Sequence, residues 1–129
     1  MNKEEFNSYL ESIGGLERGW RADRGPIISA DFFDIEEGWY GLVRQLIDEL
    51  IAFGWNKQVI QVKEKFGGLR FYVNDLPEGG FDIISKYEAL SYKTCEKCGN
   101  EGVLRSGNWL RTLCDEHAQG SLPYPKEMF

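Results

Sequence analysis

Long apolar runs are missing from this chain. No stretch approaches the ~18 residues that a membrane-crossing helix needs, so no helical span is expected. The opening residues, Met1-Asn2-Lys3-Glu4-Glu5-Phe6, lack the apolar core of a signal peptide, which predicts a cytoplasmic location. Proline is scarce, with 4 residues, and no repeat or low-complexity tract occurs. An excess of positive charge is also missing: 15 Lys and Arg face 21 Asp and Glu, a net charge of −6, which argues against a general polyanion binder. Histidine occurs once and cysteine three times, so a disulfide framework would leave one thiol unpaired. Against these absences, 42% of the 129 residues are hydrophobic and 14% aromatic, enough for one domain with a real core and too much for a disordered or collagen-like chain.

The charge is unevenly placed. Residues 1–56 carry 5 basic and 11 acidic side chains, whereas residues 57–129 carry 10 of each, so the whole net charge sits in the N-terminal part. Asp31, Asp34, Glu36, Glu37, Asp48 and Glu49 cluster there. Two readings stay open: a solvated acidic surface, or a docking face for a basic partner with Trp39 and Tyr40 as aromatic anchors. Trp20 with Arg18, Arg21 and Arg24 forms a small basic-aromatic island in a glycine-rich stretch, residues 14–30, that reads as irregular chain.

Phe6, Tyr9, Leu10 and Ile13 recur at helical spacing, and Gly14-Gly15 stops that helix. Leu42, Val43, Leu46, Ile47, Leu50 and Ile51 form one broad apolar stripe, predicting a helix over 38–53 that Gly54 ends. Residues 58–66 and 69–73 then alternate as strands around a Gly67-Gly68 turn, with Ile60, Val62 and Phe66 expected on one face and Leu69, Phe71 and Val73 on the matching face. A second helix is expected over 81–93.

The C-terminal part holds Cys95-Glu96-Lys97-Cys98-Gly99, then Cys114-Asp115-Glu116-His117. All three cysteines and the sole histidine belong to this pattern, with 15 residues between the two pairs. Pairs with two intervening residues chelate from tight turns, and four N/S donors fit tetrahedral zinc. Four protein donors close the site, which points to structural zinc, one ion per chain; catalytic zinc keeps a position open. The His-x-Glu of zinc deaminases is absent, since no histidine precedes Cys95. Val103-Leu104-Arg105 and Trp109-Leu110-Arg111 around Ser106-Gly107-Asn108 read as a hairpin between the pairs, and residues 112–119 as a short helix. The expected fold is α+β: helices on a β-hairpin (1–94), a zinc ribbon or treble-clef-like module (95–118) and an extended tail (119–129), all in one domain.

No catalytic set stands out. The lone histidine is committed to metal, Glu36 and Glu37 are adjacent and point apart on a helix, and Phe66-Gly67-Gly68-Leu69 is a hairpin turn without phosphate-cradle spacing. The segments Gly38-Trp39-Tyr40-x-Leu42, Val62-Lys63-Glu64-Lys65-Phe66-Gly67-Gly68-Leu69-Arg70-Phe71-Tyr72, CEKCG and TLCDEHA together resemble a mostly uncharacterised family of small phage and bacterial zinc-binding proteins. The resemblance covers roughly residues 34–118 and implies a common fold without an activity. Size and charge are also similar to those of immunity proteins of bacterial toxin systems, an analogy that no motif carries. The expected function is a non-enzymatic, zinc-stabilised module that binds a basic protein such as a toxin. The alternative is a nucleic-acid-binding zinc ribbon using Arg105, Trp109 and Arg111 with Lys63, Lys65 and Arg70.

Overall fold

Asn2 and Glu5 build the start of the first helix, α1 (Lys3–Ser12). The Asn2 side chain accepts from the Glu5 amide at 2.8 Å, and the Glu5 carboxylate accepts from the Asn2 amide at 2.9 Å. This capping box satisfies donors that the first helical turn leaves open. Phe6, Tyr9 and Leu10 are buried, as their spacing requires. The computed structural model describes residues 1–19 and 25–124, so Trp20, Arg21 and Arg24 of the basic-aromatic island lie outside the described residues. Arg18 of that island stacks its guanidinium over the Phe32 ring, 5.2 Å from the centroid.

The apolar stripe forms α2 (Tyr40–Phe53), entered through a 3-10 turn at Glu37–Trp39 and closed by left-handed Gly54. Val43, Leu46, Ile47 and Leu50 are fully buried. Residues 14–30 differ from expectation. They contain β1 (Leu16–Arg18) and β2 (Pro26–Ile27), and β1 pairs in parallel with β3 (Gln58–Lys65), placing Glu17 opposite Gln58. Strands of two or three residues are too short to show a period, so tertiary pairing alone makes them.

β3 pairs antiparallel with β4 (Gly68–Val73), and Lys65 faces Gly68 across the ladder. The two-residue turn is therefore Phe66-Gly67, at φ 54° and 83°, not Gly67-Gly68. Positive φ at both positions gives the turn the twist that flanking strands demand. Gly68 stays small for another reason: a Cβ there would lie 2.3 Å from Cζ of Tyr92. Phe66 consequently sits at the hairpin tip, 64% exposed, and not on the core face. A bulge between Val59 and Gln61 also shifts the alternation, so Val59 and Val62 are the fully buried pair and Ile60 is half-buried.

Leu69, Phe71 and Val73 face the core as expected. The first sheet runs β2-β1-β3-β4, leaving β4 at its edge. Helix α3 (Gly80–Ser91) covers that edge: Ser91 Oγ accepts from the Leu69 amide at 2.9 Å and Glu88 from the Phe71 amide at 3.0 Å. A second sheet, β6-β5-β7, is made of β5 (Val103–Ser106), β6 (Arg111–Leu113) and β7 (Leu122–Pro123). Its return strand starts two residues later than the sequence suggests, and the extended tail adds the third strand. The architecture of the described residues is thus α+β, with three helices and two sheets. None of these helices is long and apolar enough to cross a membrane. One apolar cluster spans Phe6 to Tyr87, and a small separate one holds Cys95, Leu113 and Cys114.

Candidate metal centre

The chain after α3 folds back at once. The Gly102 amide donates to Lys93 O at 2.9 Å, Cys95 N to Asn100 O at 2.8 Å, and Gly99 N to Cys95 O at 2.8 Å. Gly99, at φ 83°, lets residues 95–100 turn tightly around the Cys95 and Cys98 sulfurs. The second pair comes from the end of β6. Cys114 follows the strand directly, and a 3-10 turn at Asp115–His117 returns the imidazole to it, with His117 N donating to Cys114 O at 3.1 Å.

These turns bring Cys95, Cys98, Cys114 and His117 together, with their donor atoms all within 4.8 Å of one another. Cys98 Sγ lies 3.7 Å from Cys114 Sγ, while His117 Nδ1 lies 3.8 Å from Cys95 Sγ and 3.1 Å from Cys114 Sγ. A tetrahedral ion with metal–sulfur bonds of ~2.3 Å and metal–nitrogen bonds of ~2.0 Å needs sulfur–sulfur edges of about 3.8 Å and sulfur–nitrogen edges of about 3.5 Å. The Cys98–Cys114 edge meets the first value and the two edges to His117 fall on either side of the second, so these four residues can hold a metal ion after small adjustments. Three soft thiolates and an imidazole are a donor set that zinc takes. Burial works against ionising Cys95, yet backbone hydrogen bonds at Cys114, Cys98 and Lys97 outweigh it and draw the thiol down to about 7. The Cys98 thiol moves the other way, its backbone hydrogen bond at Asn100 being outweighed by desolvation and by the Cys114 and Cys95 sulfurs, so the fold eases only the first of this pair towards the thiolate that a metal requires.

Two charged side chains brace the centre. Buried Arg105 donates from Nε to Leu113 O at 3.0 Å and reaches Asp115 at 2.8 Å, which fixes the segment carrying Cys114 and His117. Glu96, inside the first turn, is only 5% exposed. It receives Arg111 at 2.7 Å on Oε1, while its Oε2 has no hydrogen-bond partner. Burial pushes its carboxyl up and Arg111 opposes that shift.

The module is fastened to the helical body at a point of unusually close approach. A Cβ on Gly38 would fall 2.3 Å from Cys95 O and 2.5 Å from Glu96 O. Only glycine allows this contact, and Gly38 N uses it to donate to Glu96 O at 2.9 Å. Next to it, Trp39 Nε1 donates to Thr94 O at 2.8 Å. On the other side, Thr112 Oγ1 donates to Gly67 O at 2.7 Å.

The acidic residues are spread over several partners and do not form one free face. Asp31 is salt-bridged to Lys3, which holds its carboxyl below the usual range, and Glu37 accepts from the Lys3 amide at 3.0 Å. Glu36 meets Arg111 at 3.0 Å and Lys97 at 3.5 Å. Asp48 accepts from Tyr9 Oη at 2.5 Å, and Glu49 from Lys86 at 2.7 Å and Tyr87 at 2.6 Å. Asp34 forms no ion pair among the described residues. Trp39 and Tyr40 are corrected outright as aromatic anchors: they are 0% and 4% exposed, because the turn into α2 points both rings into the core. Tyr40 stacks on Phe6 at 4.6 Å. Among the described tryptophans Trp109 is the exposed one, at 69%. On the basic side, Arg105 and Arg111 are engaged by protein acceptors. Lys63 and Lys65 lie 6.0 and 5.5 Å from the ring centroids of Tyr72 and Phe66.

Sequence reasoning missed Gly38 and Glu96. A glycine beside a helix start resembles any turn glycine, and a glutamate between two cysteines reads as solvent-facing. Comparison with protein-family models, with curated proteins and with solved structures finds no match for this chain.

Proposed function

We propose that the chain is a non-catalytic binding module, fastened by one structural zinc ion, that docks a basic protein partner in the manner of an immunity-type inhibitor. The observation that carries the zinc assignment is closure: all four donors come from the protein, and the sole histidine has its ring nitrogen among them. A closed site stabilises the fold and leaves no position for a substrate or an activated water. Elemental analysis of protein purified without chelator tests it, with one zinc per chain expected and a metal-free folded protein refuting it.

The docking half of the proposal is supported by the net charge of −6 and by Asp34 and Glu64, which form no ion pair among the described residues and line one cleft with the exposed Trp109. Co-expression with the product of the gene directly upstream tests it. A one-to-one complex whose association slows in salt supports the reading, and two proteins that elute separately at low salt refute it.

One observation favours a second reading. Lys63, Lys65 and Arg70 share a face of the β3–β4 ribbon with exposed Tyr72, an arrangement suited to single-stranded nucleic acid. Retention of the chain on immobilised single-stranded DNA, lost on Lys63→Glu, would support that reading over protein docking.

A further inference from the structure

Where the metal module meets the helical body, a cleft of about 310 Å³ opens. Its walls carry Asp34, Glu36, Glu64, Glu96, Trp109 and Arg111. Four carboxylates thus face one guanidinium. Arg111 engages two of them, Glu96 at 2.7 Å and Glu36 at 3.0 Å. Asp34 and Glu64 form no ion pair among the described residues; the Glu64 carboxylate accepts from the Gly67 amide at 2.7 Å and feels Arg111 only through space. The buried Glu96 Oε2, with no partner of its own, adds an unmet demand for a donor. Trp109 supplies an exposed indole on the same cleft.

We infer that this cleft receives an arginine side chain from the basic partner, between Asp34 and Glu64 and against the Trp109 ring. The inference rests on the docking reading proposed above and names the site of contact. Three features select guanidinium over other cations. Its planar fork matches carboxylate pairs, it stacks on an indole face, and it is weakly hydrated, so a partly buried site takes it more readily than an ammonium. The cleft already demonstrates the chemistry, since the chain's own Arg111 lies between two of its carboxylates. An inserted arginine would reduce the negative excess that the cleft carries alone.

The test uses the zinc-loaded full chain and a capped Gly-Arg-Gly peptide, followed by the indole and backbone amide resonances in NMR titration. Controls are the same peptide with citrulline and free arginine amide. Saturable shifts centred on the Trp109 indole and the Glu64 amide are expected with arginine and not with citrulline. Asp34→Asn with Glu64→Gln should weaken the peptide roughly tenfold and flatten its salt dependence. Neither substitution threatens the fold: the Asp34 side chain has no hydrogen bond or ion pair to lose among the described residues, and glutamine keeps the oxygen that Gly67 uses. Binding of arginine amide equal to the peptide identifies the ligand as a free guanidinium compound and overturns the partner assignment. Equal binding of citrulline, or an unchanged midpoint in the double variant, overturns the cleft. The docking reading fails separately: if the upstream gene product binds wild type and double variant alike, docking stands and the cleft falls; if the arginine peptide binds but no basic partner does, docking falls.

Discussion

Gly38→Ala is the sharpest probe of how the metal module is held. The new methyl group would stand 2.3–2.5 Å from three backbone atoms of Cys95 and Glu96, well inside the 3.4 Å at which ordinary contact begins. No flexible side chain is available to give way, so the backbone of the first metal-binding turn must retreat by about 1 Å, at a cost of about 1–3 kcal/mol. That retreat lengthens the 2.9 Å hydrogen bond from Gly38 N to Glu96 O, worth about 1 kcal/mol more. The expected loss is therefore about 2–4 kcal/mol. Because Cys95 is itself displaced, metal affinity should fall along with stability. Gly41→Ala is the matched control. It lies three residues on, inside α2, with nothing within 4 Å of its added Cβ. There the substitution should stabilise by about 0.5–1 kcal/mol, the helical preference of alanine over glycine. Urea unfolding of the zinc-loaded proteins and competition with a chromophoric chelator read both quantities. A Gly38→Ala protein as stable as wild type, with unchanged metal affinity, would refute the close docking of module and body.

Two further outcomes follow from the two apolar clusters and from the buried phenols. Cys98→Ser, or removal of metal by chelator, should strip amide protection from residues 95–118 while α1, α2, β3 and β4 keep theirs, since the larger cluster contains none of the cysteines; uniform loss in hydrogen exchange would show a single core instead. Burial, and then the hydrogen bond to Glu49, push the Tyr87 phenol up to about 12. Folding therefore favours the neutral phenol, so its contribution to stability is whole below the ordinary value of 10.0 and is lost as pH rises through about 12. The melting-temperature advantage of wild type over Tyr87→Phe should shrink across that window, and a constant difference would contradict it.

The parts of this fold that the sequence makes legible are those with a long period or a strict spacing. The α2 stripe repeats over many residues, and the two Cys/His pairs have a fixed internal distance, so both survive any tertiary context. The failures have a common physical origin. β1 and β2 are shorter than one readable period, and a bulge at Val59/Gln61 breaks the alternation on which the β3 faces were assigned. The turn moved from Gly67-Gly68 to Phe66-Gly67 because Gly68 answers to a neighbour distant in sequence, Tyr92. Trp39 and Tyr40 looked like surface anchors for lack of any local signal separating a helix-entry aromatic in the core from one on the surface. The acidic run misled in the same way. Its density in sequence is real, but Lys3, Arg111, Lys97 and Lys86 reach its members from elsewhere in the fold.

The contacts that hold the metal module also shape the cleft, and this ties the two sites together. Asp34, Glu36 and Glu64 belong to the helical body, while Glu96, Trp109 and Arg111 belong to the module. Glu96 stands in the turn between Cys95 and Cys98, and Arg111 begins the strand that delivers Cys114. A metal ion that fixes the four donors therefore fixes half of the cleft walls, and the Gly38 and Trp39 hydrogen bonds set their distance from the other half. Thermodynamic linkage makes such a connection reciprocal: whatever occupies the cleft in its assembled form must tighten the metal by the same factor that the metal tightens the occupant. The body on its own already brings Asp34 and Glu64 together, with the Glu64 amide donating to Asp34 O at 3.2 Å. A metal held by the four donors would add Glu96, Arg111 and Trp109 to them as a braced second wall.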